Sequence, residues 1–144
     1  MLIRRAKQED YCVFAAIEAD CPGYPSWGAN GFAAEETNRN SVTLAAEFEG
    51  AVAGFVNFWI LRPQVQLNSL AVRGDMRRRG TAAALLGKTL EYARKNACTA
   101  VDLEVSELNS PAIAFYLKQG FEVVGKRPKF YNNTETALLM RKTL

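Results

Sequence analysis

The chain has 144 residues, of which 49% are hydrophobic and 23% charged, and its formal charge is +3. These values are typical of one globular domain with its own core, so we expect a single domain over residues 1–144. The charge is too small to indicate nucleic-acid binding by itself. No apolar run approaches the roughly 20 residues of a membrane helix, and the N-terminus lacks a signal-peptide core, so we expect a cytoplasmic protein.

The chain contains no histidine. This excludes Ser-His and Cys-His nucleophile pairs and any histidine general base. Its three cysteines, Cys12, Cys21 and Cys98, are widely spaced, which argues against a disulfide framework or a zinc site. We therefore expect no metal, and acid–base chemistry must come from Glu, Asp, Tyr, Lys, Cys or water.

The first half of the chain predicts a strand, two helices and a hairpin. Residues 2–6 are typical of a short strand, and acidic residues after it favour a helix start. The loop over 21–28 carries aromatic side chains that either line a substrate groove or cap the core, and we favour the core. A second, weaker helix is expected over 29–38. Alternating apolar residues over 42–48, then Glu49-Gly50, predict a hairpin into a central strand.

The second half predicts strands and helices in alternation. A strand over 64–72 leads into a basic turn and a helix from 79 to about 96. After a strand centred on Leu103, Asn109 and a following proline predict a helix start, and Gly120 predicts its end. Two closing strands follow, separated by a polar loop over 127–134. The order β-α-α-β-β-β-α-β-α-β-β predicts an α/β (α+β) fold, with about seven strands in one mixed sheet and about four helices.

The basic turn over residues 77–82 reads Arg-Arg-Arg-Gly-Thr-Ala. The first N–H groups of a helix lack partners within it and carry partial positive charge, so this strand, turn and helix favour an anion. Gly80 allows the backbone to approach a ligand closely, and the arginines add charge-assisted hydrogen bonds. The pattern predicts a phosphate-bearing ligand. It is equally compatible with a solvated turn before an ordinary helix.

Glu104 and Tyr116 are the candidates for acid–base chemistry. Leu103 and Val105 are expected to point into the core, so Glu104 points to the opposite face of its strand. Asn109 and Tyr116 share one face of the next helix. Most such glutamates are merely solvated, and most helix tyrosines belong to the core. Here the turn, the carboxylate and the phenol would border one crevice at the carboxyl ends of the strands.

These motifs resemble the GNAT-type acetyl-CoA-dependent N-acetyltransferases, and the resemblance is densest over residues 67–139. The turn over 77–82 is similar to the family's Arg/Gln-x-x-Gly-x-Gly/Ala acetyl-CoA motif, and residues 70–72 match the strand that pairs with the pantetheine arm. The resemblance implies the GNAT acyl-CoA N-acyltransferase fold. It also implies that acetyl-CoA is bound by Leu70, Ala71, Val72, Arg77, Arg78, Arg79, Gly80, Thr81, Ala82 and Asn109.

The stretch over 103–121 looks like the ribosomal-protein alanine N-acetyltransferase (RimI-type) subfamily. The resemblance implies that Glu104 is the general base and that Tyr116 is the general acid at the leaving thiolate. Arg127 falls where the subfamily has an arginine followed by paired tyrosines that hold the N-terminus of the substrate. Phe130 replaces the first tyrosine, and Tyr131, the second, is expected to bind substrate.

The resemblance implies direct transfer of acetyl from acetyl-CoA to an amine in a ternary complex, with the N-terminal α-amine of a ribosomal or other protein as the expected acceptor. A small-molecule amine or a lysine side chain is the alternative. A non-catalytic acyl-CoA sensor would keep the turn without needing Glu104 or Tyr116. Nucleic-acid binding through the arginines is disfavoured because no aromatic residue adjoins the turn in sequence. We expect a monomer or weak homodimer without a nucleic-acid or membrane partner.

Overall fold

The computed structural model describes residues 1–21, 27–131 and 135–144, and for 129–131 it describes the backbone alone. Seven strands and four helices follow in the predicted order. They are β1 Leu2–Arg5, α1 Tyr11–Ala19, α2 Gly28–Ala34, β2 Ser41–Phe48, β3 Ala51–Leu61, β4 Gln64–Val72, α3 Thr81–Lys95, β5 Ala100–Ser106, α4 Ser110–Lys118, β6 Glu122–Tyr131 and β7 Glu135–Thr143. Among the helices of this described part, none is long and apolar enough to cross a membrane.

One sheet holds the seven strands in the order β1-β2-β3-β4-β5-β7-β6. Neighbouring strands are antiparallel except β4 and β5, which are parallel. This central pair is registered only from Gln64–Ala100 to Leu67–Leu103, although both strands continue further. The two strands therefore separate in the middle of the sheet. The gap between their carboxyl halves is called the crevice below.

The two faces of the sheet carry two separate cores, because strand side chains alternate between the faces. On one face α3 and α4 cover a large core that includes Val56, Leu70 and Leu103. On the other face α1 and α2 cover a smaller aromatic core around Phe14 and Phe32. The second core lies over β2, β3 and β4. The predicted mixed sheet with flanking helices is thus confirmed.

The predicted hairpin between β2 and β3 is confirmed, whereas the prediction for the end of the chain is partly wrong. Glu49 (φ 53°) and Gly50 (φ 83°) form the left-handed pair that two-residue hairpin turns favour, as expected. The predicted polar loop over 127–134 is wrong for residues 127–131, because β6 runs to Tyr131. Pairing with β7 overrides the polar composition there. Pro128 is tolerated because β6 is an edge strand, where an N–H need not join the ladder.

Candidate active site

The basic turn leads directly into α3, the longest helix, and its backbone is shaped for an anion. Arg78 (φ 64°) and Gly80 (φ 77°) are both left-handed, and such residues can turn successive N–H groups toward one concave side. The first hydrogen bond of the helix runs from Ala84 N to Gly80 O at 2.9 Å, so the N–H groups of 81–83 need partners outside the helix. A Cβ built on Gly80 meets no atom within 4 Å. The space beside the turn is therefore open.

The arginines of the turn are exposed but have different surroundings. Arg77 donates from Nε to the carbonyl oxygen of Val72 at 3.3 Å, and its Nη2 lies 3.4 Å from Cys21 Sγ. The Arg79 guanidinium lies 5.3 Å from the centre of the Phe48 ring. Arg77 thus ties the turn to the end of β4. Arg79 has an aromatic neighbour that adjacency in sequence did not reveal.

The edge of β4 that faces the crevice continues from this turn. Residues 70–72 pair with β3 on one side, through Gly54, Phe55 and Val56. On the other side their register with β5 has already ended. Backbone N–H and C=O groups on that edge need partners and can pair with an extended ligand. The pairing of Leu70–Val72 with a pantetheine arm stays a prediction, and this edge offers backbone groups for it.

Glu104 is the first residue of β5 beyond the registered segment. Leu103 and Val105 are buried in the α3–α4 core, so Glu104 lies on the opposite face, as expected. Its side chain is 23% exposed, and Oε1 forms an ion pair with Arg127 Nη2 at 2.9 Å. The subfamily resemblance placed Arg127 near the substrate, but it did not predict this ion pair. The carboxylate is accordingly held in place at the crevice.

Tyr116 lies in α4, in the core on the other face of the sheet. The residue is 4% exposed, and its ring packs edge-on against Phe115 and Phe121 at 5.3 and 5.4 Å. Asn109 caps the same helix, because its side chain accepts a hydrogen bond from Ala112 N at 3.3 Å. The cap accounts for Asn109 structurally, and its contact with acetyl-CoA stays a prediction.

The structure brings the basic turn, the open edge of β4 and Glu104 to the carboxyl ends of β4 and β5. Thr81 and Ala82 form the start of α3, two residues after the predicted start at 79. The side chain of Tyr131 and the loop residues 22–26 lie outside the described residues, so their predicted roles are untested. Sequence reasoning missed Asn68, a polar residue in β4 close to the crevice. Its signal was the pair of polar residues Asn68 and Ser69 within the mostly apolar run over 67–72.

A split sheet beside a helix N-terminus can hold a long ligand that has phosphates at one end and a reactive group at the other. Acyl-CoA molecules have this form, and the open turn and strand edge fit it. The fold and the site therefore define an acetyl-CoA-dependent N-acetyltransferase. The chain belongs to the acetyltransferase (GNAT) family, whose model matches residues 5–121.

Solved structures and curated proteins support the same family. The ribosomal-protein-S18-alanine N-acetyltransferase from Escherichia coli is 25% identical, covers 99% of this chain and 92% of its own, and superposes with a TM-score of 0.86. A ribosomal-protein-alanine N-acetyltransferase from Brucella melitensis is also 25% identical, with full coverage of both chains and a TM-score of 0.85. An uncharacterized N-acetyltransferase of Methanocaldococcus jannaschii is 33% identical over 99% of this chain and 91% of its own.

Proposed function

We propose that this N-acetyltransferase acetylates the N-terminal α-amine of a protein, with a ribosomal protein as the first candidate. The proposal is supported by the two ribosomal-protein alanine N-acetyltransferases that match the chain over nearly its whole length. The observation that carries it is the position of Glu104. A carboxylate stands where β4 and β5 separate, next to the strand edge on which an extended cosubstrate would lie.

Acetyl-CoA would be held along one continuous path. Its diphosphate would accept hydrogen bonds from backbone N–H groups of residues 77–82, with Arg77, Arg78 and Arg79 adding positive charge. Its pantetheine arm would pair with the edge of β4 at residues 70–72. This path would bring the thioester to the crevice beside Glu104.

Glu104 would act as the general base for the substrate amine. An amine attacks the thioester carbonyl carbon only when it is neutral, and at pH 7 an α-amine is about one-tenth neutral, against roughly one part in 2,500 for a lysine side chain. The nitrogen forms the new C–N bond, the C–S bond breaks, and the surplus proton of the nitrogen passes to Glu104 directly or through a water. The absence of histidine leaves this carboxylate as the strongest candidate.

Tyr116 would donate a proton to the departing thiolate. Its ring packs edge-on against Phe115 and Phe121, which would hold the phenol in one position on α4. The reaction is then a single transfer between two bound substrates, without an acyl-enzyme. Detection of acetyl on Cys12, Cys21 or Cys98 during turnover would contradict it.

The experiment is an acetylation assay read by mass spectrometry with alanine- and serine-starting peptides, lysine peptides, polyamines and aminoglycosides. We expect the α-amine peptides to be the best substrates. Glu104→Gln should lower kcat about 100-fold or more, because a positioned base contributes roughly 10²–10⁴ to the rate. Glu107→Gln, an exposed glutamate just after β5, is the matched control and should retain wild-type kcat.

The same assay separates the alternatives. Preference for a polyamine or a lysine side chain would assign a different substrate amine to the same site. Coenzyme A binding without any turnover would support a sensor instead of an enzyme. A wild-type rate of turnover by Glu104→Gln would show that Glu104 is not the general base.

Cellular location and oligomeric state remain predictions from sequence. We expect a cytoplasmic protein, and Cys12, Cys21 and Cys98 are free thiols in the structure, which suits a reducing compartment. We also expect a monomer or a weak homodimer. Light scattering across a range of protein concentrations tests the second expectation.

A further inference from the structure

Asn68 is an extra residue in β4 at the edge of the crevice. The register of β3 with β4 passes from Asn57–Ser69 to Phe58–Leu67, so Asn68 has no partner on β3 and forms a β-bulge. Bulges are common next to active sites, where they change the direction of a side chain. Asn68 is half-buried.

Asn68 and Glu104 are the first residues of β4 and β5 after the point where the two strands stop pairing. The registered segment ends at Leu67 and Leu103, and these two residues come next on β4 and β5. Asn57 points away from the α3–α4 core, because its neighbours Val56 and Phe58 belong to that core. Asn68 donates a hydrogen bond to Asn57, so it lies on the same face of the sheet as Glu104.

A chain of hydrogen bonds determines which way the carboxamides point. Glu35 Oε1 accepts from Ser41 Oγ at 3.0 Å and also from the indole of Trp59. A carboxylate only accepts, so the hydroxyl of Ser41 donates its one proton to it and can only accept in a further hydrogen bond. Asn57 Nδ2 supplies that bond at 2.9 Å and a second to Thr43 Oγ1 at 2.8 Å. The hydrogen-bonding partners therefore require that the nitrogen of Asn57, and not its oxygen, faces Ser41.

The orientation of Asn68 follows from that of Asn57. Asn57 is completely buried, and its Oδ1 accepts from Asn68 Nδ2 at 3.0 Å. The carboxamide of Asn68 thus has its nitrogen directed at Asn57 and its oxygen at the other end. That oxygen accepts no hydrogen bond from any residue in the described ranges. The two strands that border the crevice thus carry a carboxylate at Glu104 and a carboxamide at Asn68 on the same face of the sheet.

We propose that Asn68 is a specificity-determining residue that binds the substrate amine through its Oδ1. The inference rests on the proposed function. A neutral primary amine has two N–H groups and one lone pair. One N–H would donate to Asn68 Oδ1 and the other to Glu104, which leaves the lone pair for the thioester carbon. A hydroxyl has one donor and satisfies only one of the two oxygens, so the pair selects amines over alcohols.

Product release follows from the same arrangement. When the C–N bond forms and the C–S bond breaks, Glu104 takes one proton from the nitrogen, and the amide product keeps a single N–H. Once Glu104 has released this proton to solvent, the product can satisfy only one of the two oxygens. Binding of substrate is thereby favoured over binding of product.

The test compares Asn68→Leu with the wild type on the best amine from the substrate panel. We expect KM for the amine to rise about tenfold, the loss typical of one hydrogen bond, while KM for acetyl-CoA changes less than about twofold. Asn40→Leu, at an exposed asparagine just before β2, is the matched control and should change neither. Asn68→Ala, which leaves room for a water at Asn57, answers the question if the leucine variant fails to fold.

Each outcome decides the inference. An unchanged amine KM in the folded variant overturns it and leaves the proposed function intact. Equal rises in both KM values indicate a structural role and also overturn it. Absence of amine-dependent turnover in the wild type overturns the proposed function and this inference together. A selective rise in the amine KM establishes it.

Discussion

Among single residues, Thr81 shows how a motif residue can serve by its backbone alone. Its Oγ1 is buried, with less than 1 Å² accessible, and has no hydrogen-bond partner among the residues that the structure describes. An oxygen that is inaccessible to water is also inaccessible to a ligand bound at the surface. If Thr81 contributes to cofactor binding as predicted, we expect its N–H group at the start of α3 to make the contact.

Thr81→Val is expected to stabilise the protein. Replacing a buried, unpaired hydroxyl by a methyl group of similar size should raise the free energy of unfolding by about 1 kcal/mol. Urea unfolding measures this change, and calorimetry should find an unchanged Kd for coenzyme A. A weaker affinity would show that the hydroxyl does contact the ligand.

Tyr11 provides a test in alkaline solution. Burial, together with the bond that its hydroxyl donates to Glu36 at 2.6 Å, raises the pKa of Tyr11 from 10.0 to about 12. The unfolded chain loses this proton near pH 10 and the folded protein only near pH 12. The stabilisation is complete below pH 10 and is lost as pH rises toward 12. The difference in stability between wild type and Tyr11→Phe should therefore shrink over this interval.

Urea unfolding of both proteins at several pH values between 9 and 12 measures that difference. The lysine and arginine residues common to both proteins cancel in the comparison. A stability difference that stays constant over this range would show that the Tyr11 phenol titrates alike in the folded and unfolded chains.

At the scale of strands and helices, substitution of two glycines by alanine should change stability in opposite directions. In β3, a Cβ on Gly54 would lie 2.7 Å from the carbonyl oxygen of Ala71, which is backbone and cannot move aside easily. In α3, a Cβ on Gly87 meets nothing within 4 Å. Gly54→Ala should cost about 1–3 kcal/mol of stability, while Gly87→Ala should add about 0.5–1 kcal/mol.

Thermal and urea unfolding of the two variants check this pair. Gly87→Ala is the control for the gain that any alanine brings by restricting the unfolded chain. A stable Gly54→Ala variant would mean that β3 and β4 can separate here without cost. Because β4 carries the residues beside the crevice, a loss of acetyl-CoA affinity in the same variant would link this contact to the site.

Elements and their faces could be predicted from sequence because the signals are local. Alternation placed Glu104 opposite Leu103, and the Asn109 cap and Gly120 bounded α4. The separation of β4 from β5 could not be predicted, because the sequence of neither strand indicates where its pairing with the other strand ends. The Arg127–Glu104 ion pair and the Asn68–Asn57 bond join residues 23 and 11 positions apart, so only the folded sheet reveals them.

In the molecule as a whole, the split sheet offers two neighbouring surfaces to the two proposed substrates. The α3 turn and the edge of β4 suit the cosubstrate, while Glu104 and Asn68 lie on the face opposite the α3–α4 core. Arg4 holds the far edge of the sheet together, because it joins β1 to both Asp10 and Glu47. Burial raises the pKa of Asp10, but the bonds from Arg4 and the N–H of Lys7 outweigh it and leave this pKa below its usual value.

Coenzyme A binding should stabilise the whole protein through the turn at Gly80. A ligand that binds only the folded state adds about 2.7 kcal/mol to the free energy of unfolding at a concentration of 100 times its Kd. Gly80 and Gly50 are matched positions, because both have positive φ (77° and 83°) and neither has an atom within 4 Å of an added Cβ. Alanine at either should therefore cost about 1–2 kcal/mol of stability without ligand.

Only Gly80 lies at the proposed phosphate site, so the two variants should differ once ligand is present. Gly50→Ala should keep the full stabilisation by coenzyme A, whereas Gly80→Ala should lose most of it, since its methyl group occupies the open space beside the turn. Thermal unfolding with and without coenzyme A measures both. Equal stabilisation of the two variants would mean that the diphosphate binds elsewhere. No stabilisation of the wild type would mean that the protein does not bind coenzyme A.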